Sequence, residues 1–99
     1  MPSAPPESFE RDMACTEAEW LGWLPAAIGP QPWQRDGDCA TVLIGSGSLH
    51  LHWQTAPPRQ IALLRLPRLL VRFQFYEVNA DERGRFMARF DLYTRRGGG

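Results

Sequence analysis

His50 and His52 stand two residues apart in the stretch "LHLHWQ", a spacing that on a β-strand puts both imidazoles on one face. Neutral imidazole nitrogens bind transition metals, and Cys39, on a candidate neighbouring strand, could bring a thiolate to the same side. A histidine pair and a cysteine of unknown register fall short of the ligand count such a site needs, so the sequence assigns no metal and no cofactor. Nucleophilic catalysis needs a cysteine or serine with a base and an orienting group. The two cysteines, Cys15 and Cys39, are far apart and neither lies in a CxxC pair, so they suggest no disulfide scaffold and no redox motif. Cys15 precedes a helix start, where packing is its expected role. The loop "GSGS" joins two strand candidates and lacks the lysine of a phosphate-binding loop. No catalytic residue is assigned, and the chain reads as non-enzymatic.

The arginines offer a second chemistry. All eleven basic residues are arginine and balance eleven acids, which argues against a general nucleic-acid binder. The halves differ: residues 1–50 carry two arginines and seven acids, residues 51–99 nine arginines and four acids. An anion would therefore go to the second half. In "PRLLVRFQFY" the residues Arg68, Arg72, Gln74 and Tyr76 fall on one face of a strand, opposite Leu69, Val71, Phe73 and Phe75. Together with His50 and His52 they form the outward positions of a sheet, a mixture that suits a protein interface as well as an anion. The first expectation is an interaction module that self-associates or binds a protein partner through His50, His52, Arg68, Arg72, Gln74 and Tyr76. The second is an anion or single-stranded nucleic-acid binder using the same face.

The elements that must position these residues follow from pattern. Thr16 and Glu19 have the spacing of a reciprocal helix cap, and Trp20, Trp23, Leu24, Ala27 and Ile28 form one apolar stripe behind it. Pro25 interrupts that stripe and predicts a kink or break near Leu24. Asp36-Gly37 marks a tight hairpin turn, Leu49, Leu51 and Trp53 alternate inward, and "TAPP" predicts a chain break. The following "RQIALLRLPRLLVRFQFYEV" reads as one strand bent at Pro67, which belongs at an edge. Asn79 and Glu82 cap a closing helix with Phe86, Met87, Phe90 and Tyr93 on one face.

The expectation is one α+β domain over residues 13–99 in two layers: a helix, about four antiparallel strands and a helix, both helices on one sheet face. Residues 1–12, rich in proline, read as a disordered leader. They lack the pattern of a secretory signal, and no stretch approaches the ~20 apolar residues of a membrane span. A cytoplasmic location is expected, without membrane. The tail "RRGGG" resembles the ends of ubiquitin-like and sulfur-carrier proteins only in its last residues. It reads as a helix stop, with Arg95 and Arg96 beside free carbonyls and Gly97 ending the turn.

Overall fold

The structure, a computed structural model, describes residues 4–94. Its elements in chain order are β1 (Ser8–Met13), α1 (Glu17–Ile28), β2 (Trp33–Asp36), β3 (Cys39–Ile44), β4 (Gly47–Ile61), β5 (Leu64–Tyr76) and α2 (Ala80–Thr94). The fold is α+β, with two helices and a five-stranded antiparallel sheet in the order β1-β5-β4-β3-β2. The tail expectation concerning Arg95, Arg96 and Gly97 lies outside the described residues.

Alternation decides which way each strand faces. Leu49, Leu51 and Trp53 of β4 and Leu69, Val71 and Phe73 of β5 are at most 1% exposed, while the residues between them look outward. Both helices reach the inward face. Trp20 of α1 lies 5.6 Å from Trp53 and 5.7 Å from Phe90 of α2 between ring centroids, and Phe90 meets Phe73 edge-on at 5.5 Å. Such tilted and edge-on pairs are the favoured aromatic geometries and tie both helices to one core.

The reciprocal cap is realised in full at α1 and through one of its two bonds at α2. The Glu19 amide donates to Thr16 Oγ1 at 3.1 Å and the Thr16 amide donates to Glu19 Oε1 at 2.9 Å. At α2 the Glu82 amide donates to Asn79 Oδ1 at 2.9 Å. The break expected at Pro25 is absent: α1 runs through it to Ile28. Pro25 removes one amide donor, but buried Leu24, Ala27 and Ile28 flank it and hold the helix against the sheet. The β2–β3 hairpin closes through Gly37 and Asp38, with Gly37 at φ 63°, a conformation that favours glycine.

Three expectations are corrected. The strands number five, because residues 8–13 of the supposed disordered leader form β1, paired antiparallel with β5 from Ser8↔Gln74 to Met13↔Leu69. Phe9 stacks on Phe73 at 4.7 Å, and the Arg11 guanidinium lies 5.4 Å from the Phe73 ring centroid while forking onto Asp91 of α2. Upstream, Arg83 donates to the Pro5 carbonyl at 2.9 Å. A proline-rich composition hid a segment whose alternate residues, Phe9, Arg11 and Met13, face the core.

The chain also does not break at "TAPP". β4 continues through Pro57 and Pro58, where the ladder is irregular between Ala56 and Arg59, and Pro67 lies opposite that irregularity. Prolines without an amide donor are tolerated where the ladder is already interrupted. Pro67 also lies beyond the end of β1, so its open side is an edge, as expected. The single bent strand is instead a hairpin: β4 and β5 join at Ala62 and Leu63, and Ile61 pairs with Leu64. From Ala56 to the apex this arm extends about 20 Å, at the usual strand rise of 3.3 Å per residue. Leu63 is 100% exposed at its tip, between Ile61 at 52% and Leu64 at 63%.

Candidate functional site on the uncovered sheet face

Strand register places all six sequence-derived candidates on the face that neither helix touches. His50 is the direct partner of Gln74, His52 of Arg72, Ser48 of Tyr76 and Ala56 of Arg68. His50 meets the Tyr76 ring edge-on at 4.9 Å. From Tyr76 to Arg68 the strand covers about 26 Å, so the six residues form a face and not one convergent pocket. His50, Gln74 and Tyr76 make one group, His52 and Arg72 a second, and Arg68 stands apart at the root of the arm.

The arginines of this face are already engaged by β1. Arg72 Nη2 donates to Glu10 Oε2 at 3.0 Å, directly across the ladder. Arg68 donates through Nε and Nη2 to Asp12 at 2.8–3.2 Å, and Arg59 Nη2 reaches the same carboxylate at 3.4 Å. The hydrogen bond from Arg68 lowers the Asp12 pKa, against the raising effect of desolvation. The same bond raises that of Arg68. Paired charges leave less free positive potential for an external anion than the composition suggested. Leu70 lies partly buried between Arg68 and Arg72, and beyond Arg72 the same face exposes Leu43, at 51%, and Tyr76, at 45%.

At the β2–β3 end of the face, Cys39 pairs with His52 across the ladder. Asp38 joins them, with its Oδ2 3.5 Å from His52 Nε2 and its Oδ1 3.7 Å from Cys39 Sγ. His50, the second histidine of the sequence motif, lies opposite Thr41, one ladder step away. The register therefore replaces the Cys39, His50, His52 grouping with Asp38, Cys39 and His52. Spacing alone could not have found Asp38, since a turn residue's side chain has no fixed face. The local signal was the Asp-Gly-Asp-Cys turn itself.

Desolvation first, then the Asp38 and Asp36 carboxylates, push the Cys39 thiol above its ordinary value. Burial does the same to Cys15, which rises to about 11. Both thiols stay protonated at neutral pH, the reverse of what an activated nucleophile requires. Cys15, 1% exposed, belongs to the core cluster that contains Trp20, the packing role its position predicts.

No described helix is long and apolar enough to cross a membrane. Comparisons with protein-family models, curated proteins and solved structures find no match to this chain.

Proposed function

We propose that this protein is a non-enzymatic interaction module that associates with a second copy, or with a protein partner, through the uncovered sheet face. The observation that carries the reading is the internal pairing on that face, Arg72 with Glu10 and Arg68 with Asp12, on a surface that also exposes Leu43 and Tyr76. Depletion of unpaired charge around apolar and aromatic residues is what an interface core needs. The arm adds apolar surface at Ile61, Leu63 and Leu64.

The anion or nucleic-acid reading uses the same residues and predicts different salt behaviour. Sedimentation at low and at high salt, alongside titration with a fluorescent single-stranded oligonucleotide, separates the two. Self-association that survives salt, without oligonucleotide binding, supports the interaction module. Oligonucleotide affinity that falls steeply with salt, on a monomeric protein, overturns it in favour of phosphate recognition.

A further inference from the structure

We propose that Asp38, Cys39 and His52 form a binding site for a single divalent transition-metal ion of the zinc class. The trio offers a carboxylate oxygen, a sulfur and an imidazole nitrogen, all within 4.8 Å of one another. A thiol and an imidazole together select zinc, cobalt and their neighbours, and disfavour calcium and magnesium, which take oxygen ligands.

The separations fit the coordination chemistry. Zinc bonds of about 2.0–2.3 Å arranged tetrahedrally put neighbouring ligand atoms roughly 3.3–3.8 Å apart. Asp38 Oδ2 lies 3.5 Å from His52 Nε2 and Asp38 Oδ1 lies 3.7 Å from Cys39 Sγ, so the carboxylate faces both other ligands, one through each oxygen. One oxygen, the sulfur and the nitrogen all lie within 4.8 Å of one another, and rotation of exposed side chains closes that set to tetrahedral spacing.

The backbone holds the trio in register. Cys39 and His52 are direct cross-strand partners, and the Trp53 amide donates to the Asp38 carbonyl at 3.0 Å, which fixes the turn to β4. Gly37 at φ 63° makes the turn tight enough to bring Asp38 back over the strand pair. Arg72, beside His52 on the far side, is occupied by Glu10. On binding, the thiol proton leaves to solvent as the sulfur–metal bond forms, so the ion displaces one proton from the protein. The fourth position faces the uncovered side of the sheet, where water or a partner's side chain completes it. The site is independent of the interaction reading, and it predicts metal binding by a monomer as well as by a dimer.

The test is a cobalt(II) titration of the full-length, reduced, chelator-stripped protein. Saturation at one cobalt per chain is expected, with a thiolate-to-cobalt charge-transfer band and the ligand-field absorption of a four-coordinate ion, both abolished by competing zinc. Cys39→Ser removes the charge-transfer band, and His52→Asn weakens cobalt binding by at least about 10-fold. Asp38→Asn weakens it in the same sense. Cys15→Ser and His50→Asn leave the band and the affinity unchanged, and circular dichroism confirms that each variant is folded. The proposal is overturned if the wild-type protein gives no band, if the band survives Cys39→Ser, if His50→Asn matches the loss of His52→Asn, or if saturation comes at one ion per two chains.

Discussion

On β5, Val71, Phe73 and Phe75 are at most 3% exposed, while Arg72 and Tyr76 on the same strand stand in solvent. The two faces share one backbone and one register, and differ in what closes them. The inward face is closed by covalently attached helices and has filled itself with rings: Phe73 touches Phe9 on its own sheet and Phe90 above it. No described helix covers the outward face, and its arginines Arg68 and Arg72 are answered by Asp12 and Glu10 of β1. A face that is merely solvated needs neither its aromatic and aliphatic positions nor such pairing. That combination is the ground for the proposed association through this face.

If the faces differ in this way, substitution on one must be felt in folding and on the other in association. The largest effect is expected from Phe73→Ala, which leaves a cavity under Phe90 and lowers unfolding free energy by about 3–5 kcal/mol, measured by denaturant titration. Tyr76→Ala, on the opposite face, is expected to change the same quantity by no more than about 0.5 kcal/mol. Equal losses from the two would erase the distinction.

Gly47→Ala ranks next, because a Cβ there runs into the Tyr76 and Glu77 carbonyl oxygens where β4 begins. Overpacking against rigid backbone is expected to lower stability by about 1–3 kcal/mol, again read from denaturant unfolding. Ala62→Gly acts in the other direction. Ala62 holds φ 55° at the arm's apex, a conformation unfavourable for an L-residue by about 1 kcal/mol or somewhat more. Glycine is expected to raise the melting temperature slightly and to leave association intact, since it keeps Ile61, Leu63 and Leu64, the large apolar residues of the tip.

The smallest effect concerns the outward ion pairs, whose partly exposed side chains are screened by water. Arg68 holds the Asp12 carboxyl below its ordinary 3.8. A depressed folded-state pKa contributes stability that is present above the unfolded value and lost as pH falls through the folded one. Acid unfolding followed below about pH 4 is therefore expected to be shallower in Asp12→Asn than in the parent, with the curves converging at the lowest pH. Identical acid limbs would show that the pair contributes nothing to folding.

Much of the inward face was legible in the sequence, because period-two alternation in "LHLHWQ" and "LLVRFQF" and the caps at Thr16 and Asn79 are local signals that the tertiary structure had no reason to override. The places that were not legible share a cause. β1 is six residues long and acquires its partner from β5, more than fifty residues away. Its inward residues include Arg11, whose inward position makes sense only beside Asp91. The arm's turn carries alanine and leucine where a hairpin signal needs glycine or asparagine, so the strongest marker of a turn was missing. Pro57 and Pro58 supplied a false one. Among the candidate residues, their common face could be read from alternation, but their engagement by Glu10 and Asp12 could not, since it depends on the strand that composition concealed.

The most direct test of the uncovered face is sedimentation velocity over a wide concentration range, comparing the wild-type protein with Leu43→Glu/Tyr76→Glu and with Leu92→Glu. Leu92 is 63% exposed on α2, away from the sheet, and serves as an apolar-to-acid control. The expected result is concentration-dependent association of the wild type that persists in Leu92→Glu and is lost in the double variant, with all three equally folded by circular dichroism. Association unchanged in the double variant, or lost only in Leu92→Glu, would place the contact elsewhere and contradict the account of the outward face.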